Sequence, residues 1–124
     1  MMEDMSGIVL EACVETYEQA ISVRERGAHR IELCSHLEHG GLTPEPQLFK
    51  RLKAELGIPI KVMIRPRPGN FVHSEDEIEV MVRDIARFKE MGATELVMGV
   101  LDVHGAIHLD HLAHLAAQAH PLPV

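Results

Sequence analysis

Aromatic residues are nearly missing from this 124-residue chain, which has no Trp, one Tyr and three Phe. With 46% hydrophobic residues, its apolar material is mostly aliphatic Ile, Leu, Val, Ala and Met. That composition suits a parallel sheet covered by helices and excludes a chain too polar to collapse. Cysteine is scarce too. Cys13 and Cys34 are too few to staple a small secreted domain, and in a reducing compartment they are thiols. No apolar run approaches the ~18 residues of a bilayer crossing, so no membrane span is expected. Positive charge is in deficit: 12 Lys and Arg against 19 Asp and Glu give a formal charge of -7. Polyanion binding needs clustered cations to displace counterions, so nucleic acid is excluded as the expected partner. The N-terminus carries Glu3 and Asp4 where a secretory leader places basic residues and an apolar stretch, and a cytoplasmic protein is the expectation.

What is present is a strict alternation of strand and helix patterns. Residues 8–13 form a short apolar run, followed by the capping-box spacing Thr16-x-x-Gln19 and a helical pattern that ends at Gly27. Residues 30–34 repeat the strand pattern, and Thr43-Pro44 predicts the start of a helix carrying Leu48, Phe49, Leu52 and Leu56 on one face. A third strand is predicted at 60–65, then a helix opened by Ser74-x-x-Glu77 and stopped at Gly92. A fourth strand is predicted at 96–101, with Asp110 capping a last helix. No hairpin signal interrupts the series, which predicts an α/β fold with parallel strands joined by right-handed crossovers. Four units in this length match the density of a (β/α) barrel of TIM type, about half of one, over a single domain 1–124. Pro121-Leu122-Pro123-Val124 reads as the approach to a fifth strand. An open doubly wound sheet is the competing architecture, but no Gly-rich phosphate turn follows the first strand.

Alternation along the strands sorts the side chains. Leu10 and Ala12, Ile31 and Leu33, and Val62 and Ile64 fall on the face that meets the helices. Glu11 and Cys13, Arg30, Glu32 and Cys34, and Lys61, Met63 and Arg65 fall on the other. A barrel built for stability alone fills that inner space with aliphatic residues, so the charged set points to a site at the strand ends. It also fits a structural ion network of Glu11, Glu32, Lys61 and Arg65, since buried charges must pair. Arg65 and Arg67, on a Pro-stiffened turn, have the chemistry of a clamp for a carboxylate or phosphate. Cys13, Cys34 and Met63 together are a soft donor set suited to Cu(I). Two buried, inert cysteines offset along the strands are the alternative. Cys34-x-His36-x-x-His39 matches no strong zinc signature, and His108, His111 and His114 recur around the last helix as an exposed face would.

The blocks Glu11-Ala12-Cys13-Val14, Arg30-Ile31-Glu32-Leu33-Cys34-Ser35, Gly40-Gly41-Leu42-Thr43-Pro44 and Met63-Ile64-Arg65-Pro66-Arg67, in this order and spacing, resemble the CutC family, associated with copper homeostasis. The likeness continues through Phe71, Ser74, Gly99-Val100-Leu101 and Gly105-Ala106-Ile107. It implies a barrel, commonly a homo-oligomer, with Cys13 and Cys34 matching cysteines proposed to bind Cu(I) in animal members. The chain departs from the family pattern at Asn70, where Asp is usual, at Pro68 for Gly, and at His39 and His104, each in place of an acid. The family's fifth strand begins where this sequence stops. Three functions follow as expectations. One is copper homeostasis through Cu(I) on Cys13, Cys34 and Met63. Another is an enzyme or enzyme remnant that holds a small phosphorylated or carboxylated metabolite with Arg65 and Arg67 and uses Glu11 or Glu32 as general base. A short form acting through association, as a dimer or larger assembly, is a third.

Overall fold

The computed structural model describes residues 7–124. The acidic segment with Glu3 and Asp4 lies outside the described residues. Four strands, β1 (Glu11–Val14), β2 (Arg30–Leu33), β3 (Ile60–Met63) and β4 (Leu96–Val97), alternate with four helices, α1 (Tyr17–Glu25), α2 (Pro46–Glu55), α3 (Glu75–Glu90) and α4 (Leu109–Ala119). The strands pair in parallel in the order β1-β2-β3-β4, without a skipped neighbour. Successive crossovers of one hand place every helix on the same face of such a sheet, which is how a barrel wall is built.

The register follows from the alternating pattern. Ile31, Leu33, Val62 and Leu96 are buried against the helices, each at most 1% exposed. Phe49 of α2 and Phe88 of α3 meet edge to face at 5.5 Å in that layer. Each such side chain contributes ~1.5–3 kcal/mol on leaving water. Leu10 departs from the expectation: it is half exposed, as are Ile8 and Val9, and β1 begins only at Glu11.

The helix starts show which local signals prevailed. Both halves of the capping box at Ser74 and Glu77 are formed. At α1, Thr16 accepts from the Gln19 amide as predicted, whereas the Gln19 side chain accepts from Glu15 rather than from Thr16. Helix α2 begins at Pro46, not at Thr43-Pro44. Thr43 is diverted to the chain just after β3, where its Oγ1 donates to the Arg65 carbonyl and accepts from the Arg65 amide. Asp110 does not cap α4; His108 does, its Nδ1 accepting from the His111 amide at 3.1 Å. The fourth strand has two residues instead of six, because the chain turns away after Val97. The Leu101 amide bonds to the Phe71 carbonyl, and Leu101 bridges Ile107. Beyond α4 the chain returns to the sheet, where the Leu96 amide donates to the Pro123 carbonyl at 3.0 Å.

Candidate functional site

The face of the sheet turned from the helices carries three levels of side chains, set by the strand register. At the first, Glu11 stands beside Arg30. At the second, Cys13, Glu32 and Lys61 are aligned. Continuing the register one residue beyond Leu33↔Val62 puts Cys34 level with Met63, which pairs with Val97. Charges therefore occupy the lower levels and sulfur the upper ones, toward the strand ends where barrels place their chemistry.

The first two levels hold a chain of ion pairs. Glu11 accepts from Arg30 Nε and from Lys61 Nζ (3.1 Å), and Lys61 continues to Glu95 at 3.3 Å. Burial alone would raise the Glu11 carboxyl, but the hydrogen bonds and charges of Lys61 and Arg30 outweigh it and hold the group below its ordinary value. Glu32 is outside these pairs, and burial together with the neighbouring Glu11 charge raises its carboxyl. Of the expected network, Glu11 and Lys61 are joined, with Arg30 and Glu95 as partners that the sequence reading left out.

Arg65 is elsewhere. It is 8% exposed, and its guanidinium is spent on backbone carbonyls: Nη1 donates to His39 (3.1 Å) and Gly41 (3.2 Å), Nη2 to Gly69 (2.7 Å). Its plane lies over Phe71 at 4.7 Å, and its Nε has no partner among the described residues. Arg67 forms a forked pair with Glu77 (2.7 and 3.1 Å) and also donates to the carbonyls of Asn70 and Val72. The two guanidiniums thus organise loops, and the structure brings them to protein acceptors rather than to a shared open pocket.

The two thiols differ sharply. Cys13 is exposed, and Cys34 is buried at 2%. Cys34 Sγ lies 3.8 Å from Glu32 Oε1, and burial, followed by the Glu32 charge, pushes the thiol up to about 12. The Cys13 thiol is also raised, by its partial burial and by Glu32 and Glu11. A two-residue offset on adjacent parallel strands separates the Cα atoms by ~8 Å, from a ~3.3 Å rise per residue and a ~4.8 Å strand spacing. That exceeds the reach of a disulfide. A metal held between the sulfurs would tolerate such a span better than an S–S bond, because it replaces that one bond with two metal–sulfur bonds. Among the described residues no group of three or more His, Cys, Asp or Glu side chains is arranged to hold a metal, so a thioether such as Met63 would have to complete any three-donor set. His36 and His39 are exposed, their rings 6.3 Å apart.

Comparison with known proteins agrees with this architecture. The sequence model of the CutC family matches residues 8–124. The human and mouse proteins named copper homeostasis protein cutC homolog are each 44% identical over 119 residues, covering 96% of this chain and 44% of the relative. The chain thus spans under half the length of these curated relatives. A crystal structure of a Streptococcus agalactiae protein named for copper homeostasis as CutC superposes with a TM-score of 0.86 at 33% identity, covering 94% of this chain and 57% of that one. No helix among the described residues is long and apolar enough to cross a membrane.

Proposed function

The chain belongs to the CutC family of copper homeostasis proteins, and on that premise we propose that it binds Cu(I) as cargo through the Cys13 and Cys34 sulfurs, with Met63 as third donor. The observation that carries this reading is the strand register, which places three sulfur-bearing residues on one face of adjacent strands, Cys34 at the level of Met63 when the register is continued. Cu(I) favours few, soft donors, and thiolate and thioether sulfur supply them. Burial raises both thiols and keeps them protonated, so binding one Cu(I) would form two Cu–thiolate bonds and one bond to the Met63 thioether and release two protons to water. Glu11 and Arg30 form the charged level below that of Cys13, tied to it through Lys61.

An anaerobic Cu(I) titration against a competing chelator tests this. The wild type should bind close to one copper per chain, and the Cys13→Ser, Cys34→Ser double variant should lose it. Equal affinity in a folded double variant would sink the proposal.

A second reading is favoured by one feature, the raised Glu32 carboxyl beside the lowered Glu11. Two carboxyls driven apart in this way can exchange a proton with a small anionic ligand, as in an acid–base enzyme. In that reading Arg65 and Arg67 would have to release protein acceptors to hold the anion. A thermal-shift screen of phosphorylated and carboxylated metabolites discriminates: stabilisation of the wild type that Glu32→Gln abolishes supports it, and a flat screen removes it.

A further inference from the structure

Whereas Cys13 on the neighbouring strand is exposed, Cys34 is closed off. Its cover is the segment between the paired residues Ser35 and Leu42, which exchange two backbone hydrogen bonds at 2.8 and 2.7 Å. Within it, a 3-10 turn over Leu37–His39 is flanked by His36 at φ 48 and by Gly40 and Gly41 at φ 87 and 95. Gly41 rests on the thiol so closely that a Cβ there would stand 3.3 Å from Cys34 Sγ. A side chain at 41 would therefore meet both backbone strain and the sulfur.

The way this segment is fastened is unusual for a buried site. None of residues 36–41 belongs to the apolar core or packs against it, and His36, Glu38, His39 and Gly40 are exposed. Two charged side chains from other elements tie it down. Glu15, after β1, accepts from the Leu37 amide at 2.8 Å. Arg65, after β3, donates to the His39 and Gly41 carbonyls and with its other arm grips Gly69. Segments held by a few polar ties and little apolar contact open locally at far lower cost than the whole fold unfolds.

We propose that residues 36–41 form a lid over the Cys34 thiol, latched by Arg65 and Glu15, and that a soft metal ion or a thiol reagent reaches Cys34 only when the lid lifts. Arg65 is then a positioning residue that acts through the lid. What the lid admits, Cu(I), rests on the reading above; the existence of the lid does not.

The test is site-resolved alkylation of the full native chain with iodoacetamide, read by peptide mass spectrometry with Cys13 as the internal reference. Cys34 should react far more slowly than Cys13 in the wild type. Arg65→Ala and Glu15→Ala should each accelerate Cys34 by about tenfold or more while leaving Cys13 unchanged, since charge-assisted ties are lost. Arg65→Lys, which keeps the charge but not the fork, should restore part of the protection. A poorly ionised thiol is slow for its own reason, so the wild-type rate is also followed against urea. A lid predicts that Cys34 labelling accelerates well below the unfolding midpoint seen by circular dichroism. Labelling that tracks only global unfolding, that equals Cys13 in the native wild type, or that neither substitution moves in a folded chain overturns the lid. No metal enters this experiment, so a failed copper titration would remove the copper reading and leave the lid standing.

Discussion

Replacing Glu32 by Gln should tighten Cu(I) binding, although it removes a negative charge next to a proposed cation site. The sign follows from the charge balance. Two neutral thiols and one Cu(I) become a bis-thiolate complex of net charge -1, so the site gains negative charge on loading and a nearby carboxylate opposes it. Glu32 Oε1 is 3.8 Å from Cys34 Sγ, and its charge is the second cause, after burial, of the rise of that thiol from 9.0 to about 12. Unit charges ~4 Å apart interact by ~4 kcal/mol at an effective dielectric constant of 20. Glu32 is itself raised and partly solvated, which reduces the effect to about one pKa unit, or ~1.4 kcal/mol. The expected result is a roughly tenfold gain in affinity at neutral pH, since 1.4 kcal/mol is one decade. Release of two protons also sets the pH dependence: wild-type affinity should climb by about a hundredfold per pH unit below the thiol values. The assay is anaerobic competition with a chelator of pH-independent affinity, from mildly acidic to mildly alkaline pH. An affinity flat with pH, or weaker binding by Glu32→Gln, would refute thiolate ligation at this position.

Two further outcomes follow from the geometry around α3 and α4. Arg67 and the Ser74 amide hold the Glu77 carboxyl down at about 2, from an ordinary 4.5, so its stabilisation is present above pH 4.5 and is lost as pH falls toward 2. Urea melts across that window should show the wild type losing ~1 kcal/mol, allowing for solvent screening, that Glu77→Gln does not lose; parallel profiles would contradict this. His108→Ala should cost about 1 kcal/mol through the lost cap of α4, and His108→Asp should restore it. An alanine variant as stable as the wild type in thermal melts would dismiss the capping role.

The repeating architecture was legible because it depends on local periodicity. Alternation in Arg30–Leu33 and Ile60–Met63 separates the two faces without reference to the rest of the chain. The misplaced boundaries arise where a distant partner or a neighbouring cap competes with the expected local signal. Thr43 has the chemistry of a helix cap, yet its hydroxyl bonds Arg65, 22 residues away. His108 caps through an imidazole nitrogen, which places His low among expected caps beside the nearby Asp110. The candidate site was legible as a list of inward residues, but its connections were not. Lys61 selects Glu11 and Glu95, and Arg65 turns to carbonyls because loops from both sides close around it. Glu15 carries no sequence signal of its tie to Leu37, and Gly40-Gly41 is legible only as part of a family block, without its contact to Cys34.

The register that stacks Cys13 beside Glu32 and Glu32 beside Lys61 also acts as error control during folding. Slipping β2 by one residue would turn Arg30, Glu32 and Cys34 toward the helices and present Ile31 and Leu33 to the open face. The misaligned chain would bury two charges without partners and lose two of its best-packed side chains. Such a chain has no stable core to settle into. Folding therefore selects the one alignment in which the sulfur-bearing residues share a face, and a molecule that reaches a native core has already brought Cys13, Cys34 and Met63 to the same side of the sheet.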